Sequence, residues 1–389
     1  MTRHAKILII NDGIVCKEGM SGSDRRAMHW SQIFSESHKV FVMVPEFAKQ
    51  RFTKTSQCYC INVKESSVGI IDYLYRVYLG IRKIINLKKD KLDVVYSSSD
   101  LIPDSIPAIV FKLMSPNTKW ISGLHLIAPS PFKGFTNAYT KTGIKLPSLK
   151  GLYYYLTQTV IIFFMRKLAH LVFVSNEQDR LFLLNKKGFT ENQVLVTYGA
   201  PEWNEINKIE IEKIVKQYDL CFIARFHPQK GYDDLLKAWG LILKNIEKAK
   251  LVIIGDIPVK ILTEKLKQIN INETTIDYLG FLDGVEKYHK IAQSKILLFP
   301  SYYESFGMVA VEAQACGVPV IAYDLPFFKT IYPKGMIRVE IGATETLAEK
   351  IILLLENELL RNKIAKEARE NAERFNFRYT ATEILERLK

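Results

Sequence analysis

The sequence lacks several features that mark common classes of protein. Its five cysteines among 389 residues are an odd, scattered set without zinc-binding spacing, which excludes a disulfide scaffold and fits a reduced, cytosolic compartment. The apolar run near the first residue is too short for a secretion signal. Low-complexity tracts, an Asp-x-Asp motif and the G-x-G-x-x-G of dinucleotide-binding proteins are all absent. We therefore expect a folded intracellular protein without an NAD site and without a carboxylate-held metal.

Acidic residues are also missing from one long stretch of a basic chain. The net charge is +13, which favours nucleic acid, an anionic membrane or anionic substrates as partners. Residues 105–176 contain seven lysines and one arginine but no aspartate or glutamate. Within this stretch, residues 151–165 are apolar and aromatic but too few to span a bilayer. This segment is either a core helix or a surface that docks on anionic lipid headgroups.

The length of the chain predicts two domains, because a single core rarely serves so many residues. Residues 6–10 and 39–44 are predicted to be strands, joined by a loop over residues 11–26 and a helix over residues 27–35. This order is typical of a doubly wound α/β domain, in which ligands bind at the carboxyl ends of strands. The charged run 202–216 is the predicted linker, so the first domain should end near residue 200.

Residues 295–325 carry the most informative pattern. An apolar strand over residues 296–299 is followed by a polar loop, a helix that begins near Gly307, and a second strand over residues 320–323. The loop and helix contain two carboxylates, Glu304 and Glu312, separated by seven residues. Free amides at a helix start suit a diphosphate. Two glutamates near a helix start can also merely cap it, and this alternative remains open.

This stretch resembles the Glu-(any seven)-Glu signature of the retaining glycosyltransferases of family 4, which have the GT-B fold. The resemblance implies an α/β protein with two Rossmann-like domains, each a doubly wound parallel sheet, facing a cleft. It implies that Glu304 faces the sugar of a nucleotide sugar and that Glu312 binds the ribose hydroxyls. It also implies that the phosphates lie against the backbone amides of Phe306, Gly307, Met308 and Val309.

The resemblance extends to residues outside this stretch. Arg225 and Lys230 match the family's arginine–(four residues)–lysine–glycine element and are predicted to neutralise the diphosphate as it leaves. His125 follows a predicted strand and matches, in part, a histidine that contacts the transferred sugar. Gly22, in the first loop, is the glycine expected to allow close approach of a ligand. A lone loop histidine and an ordinary flexible loop are the alternatives for the last two.

These observations predict an N-terminal domain over residues 1–200, a nucleotide-sugar-binding domain over 201–374 and a final helix over 375–389 that returns to the first domain. The expected activity is retaining, metal-independent transfer of a hexose from a UDP- or GDP-sugar to a saccharide or lipid-linked acceptor. We expect no cofactor, no bound metal and no nucleic acid partner, with an anionic membrane surface as a candidate partner. A sugar-nucleotide 2-epimerase of the same fold and a non-catalytic sugar-nucleotide-binding protein are the alternatives.

Overall fold

The computed structural model describes residues 4–14, 19–52, 57–63, 70–87, 91–139 and 146–389. The chain forms two compact units. Unit 1 consists of Met1–Pro131, Pro147–Gly199 and Asn376–Lys389, and unit 2 consists of Phe132–Leu146 and Ala200–Phe375.

Unit 1 contains a seven-stranded sheet with helices on its faces. Its strands are β1 (Lys6–Ile10), β2 (Lys39–Pro45), β3 (Gln57–Ile61), β4 (Val94–Ser97), β5 (Lys119–Gly123), β6 (Leu171–Val174) and β7 (Val194–Val196). Its α-helices are α1 (Gly22–Ser35), α2 (Ile70–Leu87), α3 (Ile102–Met114), α4 (Leu149–Leu168), α5 (Glu177–Lys187) and, at the end of the chain, α14 (Phe377–Arg387). The strands lie in the order β3-β2-β1-β4-β5-β6-β7, and every pair is parallel.

Unit 2 contains a six-stranded sheet in the order β10-β9-β8-β11-β12-β13, again with parallel pairing throughout. Its strands are β8 (Tyr218–Ala224), β9 (Leu251–Gly255), β10 (Ile276–Tyr278), β11 (Ser294–Phe299), β12 (Val320–Tyr323) and β13 (Met336–Val339). Its α-helices are α6 (Trp203–Ile206), α7 (Tyr232–Asn245), α8 (Val259–Gln268), α9 (Gly284–Ala292), α10 (Met308–Ala315), α11 (Phe328–Ile331), α12 (Thr344–Glu356) and α13 (Glu358–Ala372). The predicted fold class, two Rossmann-like parallel-sheet domains, is confirmed.

Apolar runs form the central strands because both faces of each sheet are covered by helices. All of β9 and β12 is buried, and so are the last four residues of β1 and β11. Each unit has its own hydrophobic core, anchored by Trp120 in unit 1 and by Trp239 in unit 2. The carboxyl ends of these rigid strands position the loops that carry the polar side chains.

Two predicted boundaries differ from the structure. Helix α1 begins at Gly22 rather than at residue 27, because Ser21 and Asp24 form a capping box that starts the helix earlier. Residues 132–146, placed in the first domain from sequence, belong to unit 2.

The last helix, α14, packs on α1 within unit 1. Trp30 Nε1 donates to Thr380 Oγ1 at 3.0 Å, and the rings of His29 and Phe377 stack at 4.4 Å. Arg378 donates two hydrogen bonds to the carboxylate of Glu36, each 2.7 Å long. The final helix is thus part of the first structural unit, although almost two hundred residues separate it from β7.

Helix α4 includes the apolar segment 151–165, for which the sequence allowed either a core helix or a surface that docks on lipid headgroups. Ile161, Ile162 and Met165 are buried, whereas Val160 and Phe163 are about half exposed. One side of α4 therefore packs in the core and the other faces solvent. Among the residues that the structure describes, no helix is long and apolar enough to cross a membrane.

Candidate functional site

The polar loops of unit 2 converge where the sheet changes direction. From β8 the chain proceeds outwards to β9 and β10 on one side, and from β11 to β12 and β13 on the other. The loops that follow β8 and β11 therefore leave the sheet in opposite directions and open a crevice between them. In parallel α/β sheets this switch point is where ligands bind. The β8 loop carries Arg225 and Lys230, and the β11 loop carries Glu304.

Hydrogen bonds and a glycine fasten these two loops together. Gln229, in the 3₁₀ turn Pro228–Lys230, donates from Nε2 to the Tyr303 carbonyl at 3.0 Å and accepts from the Tyr302 amide at 2.8 Å. Gly231 has a φ of 71°, and a β-carbon there would lie 2.2 Å from the Pro300 carbonyl oxygen. Only glycine fits this close backbone approach. The position of Lys230 relative to Glu304 is therefore fixed by the backbone.

Lys230 and Glu304 form an ion pair in the crevice. Both side chains are mostly buried, with relative exposures of 15% and 13%. Because the pair is largely shielded from water, each charge stabilises the other more than it would on the surface. The structure thus brings together Lys230, which the sequence assigned to the phosphate, and Glu304, which it assigned to the sugar. Because their charges cancel, any net charge of the crevice comes from other residues.

Arg225 supplies that remaining charge. Its side chain is exposed at the end of β8, on the same loop as Lys230. Partial burial, with added repulsion from the charges of Arg225 and Lys230, lowers the pKa of His227. An exposed guanidinium can bind an anion that reaches the crevice.

The N-terminus of α10 faces the same end of the sheet. Gly307 precedes the helix with a φ of 86°, and the first helical hydrogen bonds come from the amides of Ala310 and Val311 to the Gly307 carbonyl. The Met308 and Val309 amides lie ahead of this ladder, as an anion site requires. No side chain caps the helix, so the capping alternative for the two glutamates is not what the structure contains.

Tyr332 holds this turn in place. Its hydroxyl oxygen lies 2.9 Å from the Phe306 carbonyl oxygen and 3.0 Å from that of Gly307. The Phe306 side chain is buried and packs against the rings of Tyr332 and Phe375. The predicted phosphate-binding backbone is thus supported from below by aromatic packing.

Glu312 is enclosed by donors that the sequence analysis did not identify. Lys287 Nζ lies 2.9 and 3.0 Å from its two carboxylate oxygens, and the Tyr288 hydroxyl donates to Oε1 at 3.2 Å. Glu312 and Lys287 are almost entirely buried. Lys287 lies on α9, 25 residues away in sequence, and no local spacing signals its partner. A ribose that reached Glu312 would share the carboxylate with this lysine.

Residues from the first half of the chain pack beside the Lys230–Glu304 pair. Phe135 contacts the rings of His227 and Tyr303 edge-on, at centroid distances of 5.8 and 5.5 Å. Tyr139 stacks on Tyr303 at 5.2 Å. Tyr303 directly precedes Glu304 and is buried. This aromatic cluster was missed because Phe135 and Tyr139 are far from Tyr303 in sequence and form no recognisable motif.

Unit 1 has its own switch point, between β1 and β4. Asp104, at the start of α3, accepts from the Gly13 amide at 2.8 Å, and the hydroxyl oxygens of Ser98 and Ser99 lie 2.9 and 2.5 Å from its Oδ2. Burial raises the pKa of Asp104 to about 7. These partners are uncharged donors, in contrast to the lysines that face Glu304 and Glu312.

Asp12 lies in the same crevice and is fully buried. Neither carboxylate oxygen has a hydrogen-bond partner among the described residues. Burial, and then repulsion from Asp104, raise the pKa of Asp12 well above its usual value. Burial also raises the pKa of nearby Asp100 to about 6, although Gln158 donates to it at 2.9 Å. Protonated carboxyls of this kind can both donate to and accept from a hydroxyl-bearing ligand.

His125 lies at the carboxyl end of β5 in unit 1, as the sequence predicted. Its ring is buried, with Nδ1 3.4 Å from the Ser175 hydroxyl and Nε2 without a partner among the described residues. A β-carbon at Gly123 would meet that Nε2 at 2.6 Å, so glycine is required for the ring to lie there. Burial, reinforced by the charge of Arg26, lowers the pKa of His125 well below its usual value. The imidazole is therefore neutral.

Gly22 is the first residue of α1 and not part of a flexible loop. Its carbonyl accepts from Arg26 Nη1 at 3.1 Å. The structure places Gly22 and His125 in unit 1, and Arg225, Lys230, Glu304, Glu312 and the turn Phe306–Val309 in unit 2.

Parts of the chain are similar in sequence to known proteins. One relative is N-acetyl-alpha-D-glucosaminyl L-malate synthase of Bacillus anthracis, 32% identical over 165 residues that cover 42% of this chain and 41% of the relative. Another is the capsular polysaccharide biosynthesis glycosyltransferase CapM of Staphylococcus aureus, 24% identical over 257 residues that cover 60% of this chain and 65% of the relative. The aligned residues thus cover less than half the length of the Bacillus anthracis protein.

A solved structure shares the whole fold. HepE of Anabaena, in complex with UDP and glucose, superposes with a TM-score of 0.73 over 99% of both chains at 17% identity. Residues 204–371 match the profile of the family described as glycosyl transferases group 1. They include the crevice residues Arg225, Lys230, Lys287, Glu304 and Glu312. The chain therefore has the GT-B fold, and residues 204–371 of its second unit are similar to the glycosyl transferases group 1 family.

Proposed function

We propose that the protein transfers a hexose from a nucleoside diphosphate sugar to an acceptor hydroxyl, with the donor bound in the crevice between β8 and β11. The observation that carries this proposal is the Lys230–Glu304 ion pair, formed by the two loops that also carry Arg225 and lead into the uncapped start of α10. Cations and amides neutralise a diphosphate, and a carboxylate accepts hydrogen bonds from sugar hydroxyls.

The reaction breaks the bond between the anomeric carbon and the donor phosphate, and the electron pair stays on the departing diphosphate. Lys230, Arg225 and the amides of residues 307–309 offset this growing charge, so no metal is required for that step. Glu304 exchanges its bond to Lys230 for bonds to the sugar. The acceptor hydroxyl forms the new bond to the anomeric carbon and gives its proton to the departing diphosphate, and the proposal includes retention at that carbon on the strength of the family resemblance.

Uridine is the first candidate for the donor base, because HepE was solved with UDP and glucose, and guanosine is the second. CapM is named for capsular polysaccharide biosynthesis, which supports a saccharide or lipid-linked precursor of a surface glycan as acceptor. The proposal places the protein at the cytoplasmic face of an anionic membrane, where such a precursor would be presented.

A panel of UDP-, GDP- and ADP-sugars tests this function. The protein is incubated with each donor in excess EDTA, and donor loss and the anomeric configuration of the product are followed by NMR. Slow release of UDP or GDP with the α-anomeric configuration preserved supports the proposal. Conversion of the donor into an epimer without acceptor would establish the epimerase instead, and thermal stabilisation by a nucleotide without any turnover would establish a binding protein.

A further inference from the structure

The outer surface of helices α2, α3 and α4 is unusual for a protein in water. These helices form one layer on the sheet of unit 1, with α3 packed between the other two. The layer holds half of the described large apolar side chains that face solvent: Ile70, Ile71, Leu74, Tyr75, Tyr78, Ile85, Leu113, Leu149, Leu156, Val160 and Phe163. An apolar surface this extensive marks an interaction site.

Helix α2 contributes most of this surface. Ile71 is 84% exposed, and Leu74, Tyr75 and Tyr78 are each more than half exposed. These positions recur at three- and four-residue spacing, so they form one ridge along the helix. The opposite side of α2 carries the buried residues, among them Ile84. The ridge is thus not needed for the core of unit 1.

The charges of these helices that are exposed and not in an ion pair are all positive. Only two acids occur in the three helices, Asp72 and Asp104. Asp72 is paired with Arg76 at 3.0 Å, and Asp104 is buried. The basic side chains of these helices are exposed at Arg82, Lys150 and Lys167 and partly exposed at Lys83, Lys112 and Arg166. The layer therefore presents apolar and cationic groups without an exposed, unpaired carboxylate among them.

A groove beside α2 gathers two of these cations. It has a volume of about 310 Å³ and lies between α2 and the edge strand β3, with Asn62, Tyr75, Arg82, Lys83 and Asn86 among its lining residues. Arg82 lies over the Tyr78 ring and Lys83 over the Tyr59 ring. Two cations and two amides offer the donors that a phosphate group needs. The groove opens next to the apolar ridge.

We infer that the α2 ridge and this groove dock on an anionic lipid bilayer, with lipid phosphates in the groove and the ridge in the boundary between headgroups and acyl chains. Aliphatic residues such as Ile70, Ile71 and Leu74 suit hydrocarbon, and they offer nothing to a nucleic acid. Cations at the rim suit anionic headgroups. The inference deepens the proposed function by naming the surface that meets the membrane, and it moves the main contact from α4, favoured by sequence, to α2.

Vesicle binding by the full-length protein tests the inference. Co-sedimentation is measured with vesicles of phosphatidylglycerol and phosphatidylcholine and with phosphatidylcholine alone, at low and high salt. The wild type should bind the anionic vesicles, bind them more weakly as salt rises, and remain in the supernatant when it is mixed with neutral vesicles. Ile71→Ser/Leu74→Ser should weaken binding by more than about tenfold, because two side chains lose their place in the bilayer. Arg82→Glu should weaken it by about thirtyfold, since the reversal changes two charges at the surface.

Matched controls locate the contact. Leu359→Ser/Lys363→Glu makes equivalent changes to exposed positions of α13 in unit 2 and should leave binding unchanged. The variant Leu156→Ser/Lys150→Glu makes the same two kinds of change on α4, and it should weaken binding less than the α2 variants do. A larger loss in the α4 variant, or equal binding to anionic and neutral vesicles, would overturn the inference. Thermal unfolding of each variant checks that it is folded.

Two further measurements keep the outcomes distinct. Sedimentation velocity without vesicles shows whether a second copy of the protein covers the ridge. The inference would be overturned in favour of self-association if the wild type were a dimer that did not bind vesicles and the α2 substitutions converted it to a monomer. Hydrolysis of a soluble nucleotide sugar should be the same in the α2 variants as in the wild type. Vesicle binding without donor turnover would contradict the proposed function alone, and turnover without vesicle binding would contradict this inference alone.

Discussion

The switch points of the two sheets have the same topology but different electrostatics. In unit 2 each glutamate is bonded by a lysine, Lys230 for Glu304 and Lys287 for Glu312, and Arg225 adds an exposed cation. In unit 1 the donors around Asp104 are a backbone amide and serine hydroxyls. The sheet determines where a ligand lies, and the side chains determine its charge.

This difference suits two partners of different chemistry. The lysines that pair with the glutamates, together with exposed Arg225, offer cationic donors to a diphosphate, as a nucleotide sugar requires. Buried carboxyls with raised pKa values, and the neutral imidazole of His125, suit uncharged hydroxyls. The comparison is therefore between a crevice for an anion and a crevice for a neutral polar group.

Removing a cation from unit 2 should have the largest effect. We expect Arg225→Ala and Lys230→Ala each to lower kcat/KM for the donor by about a hundredfold or more, because one stabilising charge in a closed site contributes roughly 3 kcal/mol. Steady-state kinetics in EDTA measure this. Lys230→Ala should also lower the free energy of unfolding by about 2 kcal/mol, since Glu304 is left mostly buried without its partner. Arg225→Ala should not lower the free energy of unfolding, because Arg225 is exposed. Full activity in the folded Arg225→Ala variant would show that Arg225 does not bind the phosphates.

The two glutamates should separate by kinetic parameter. Glu304→Gln should lower kcat by tens of fold, whereas Glu312→Ala should mainly raise the donor KM, by about tenfold, because a ribose contact is present in ground and transition state alike. Lys287→Met should also raise the donor KM, as Glu312→Ala does, since it leaves the Glu312 carboxylate buried without its lysine. His125→Ala should lower kcat, as Glu304→Gln does. The reverse assignment of kcat and KM effects would contradict these roles.

The aromatic cluster should contribute less. Phe135→Ala and Tyr139→Ala should each lower kcat by about three- to tenfold, because each removes a ring contact with Tyr303, the residue before Glu304. Phe132→Ala is the matched control, since Phe132 is 52% exposed and lies on the same segment. Activities equal to the wild type would show that the cluster does not position Glu304.

The smallest effect concerns the pH dependence of stability in unit 1. Asp104 has a pKa raised to about 7, so the folded protein binds its proton more tightly than the unfolded chain does. Its contribution to stability is present below about pH 4 and is lost as pH rises through about 7, with a slope of at most ~1.4 kcal/mol per pH unit. Asp104→Asn should therefore flatten the fall in Tm between pH 5 and pH 8, because the amide does not titrate. An unchanged slope would contradict the raised pKa.

Local patterns predicted much of unit 2 and little of the unit 1 crevice. The strand over residues 320–323 and the turn at Gly307 were located from apolar runs and a glycine, because both signals are contained within a few residues. Lys287 and Asp104 depend on neighbours brought together by the fold, and nothing in their own surroundings marks them. The helix α3 was not predicted, since Pro103 and Pro107 disfavour a helical reading, although Pro103 lies in the first turn, where proline is tolerated.

Calorimetric titration of UDP and GDP in excess EDTA tests the central claim most directly, that the unit 2 crevice binds a nucleoside diphosphate through its own cations. We predict that one of the two nucleotides binds the wild type, binds at least about tenfold more weakly to Arg225→Ala and Lys230→Ala, and binds Asp104→Asn as it binds the wild type. Binding that requires added magnesium or manganese, or that is equal in all four proteins, would contradict the claim.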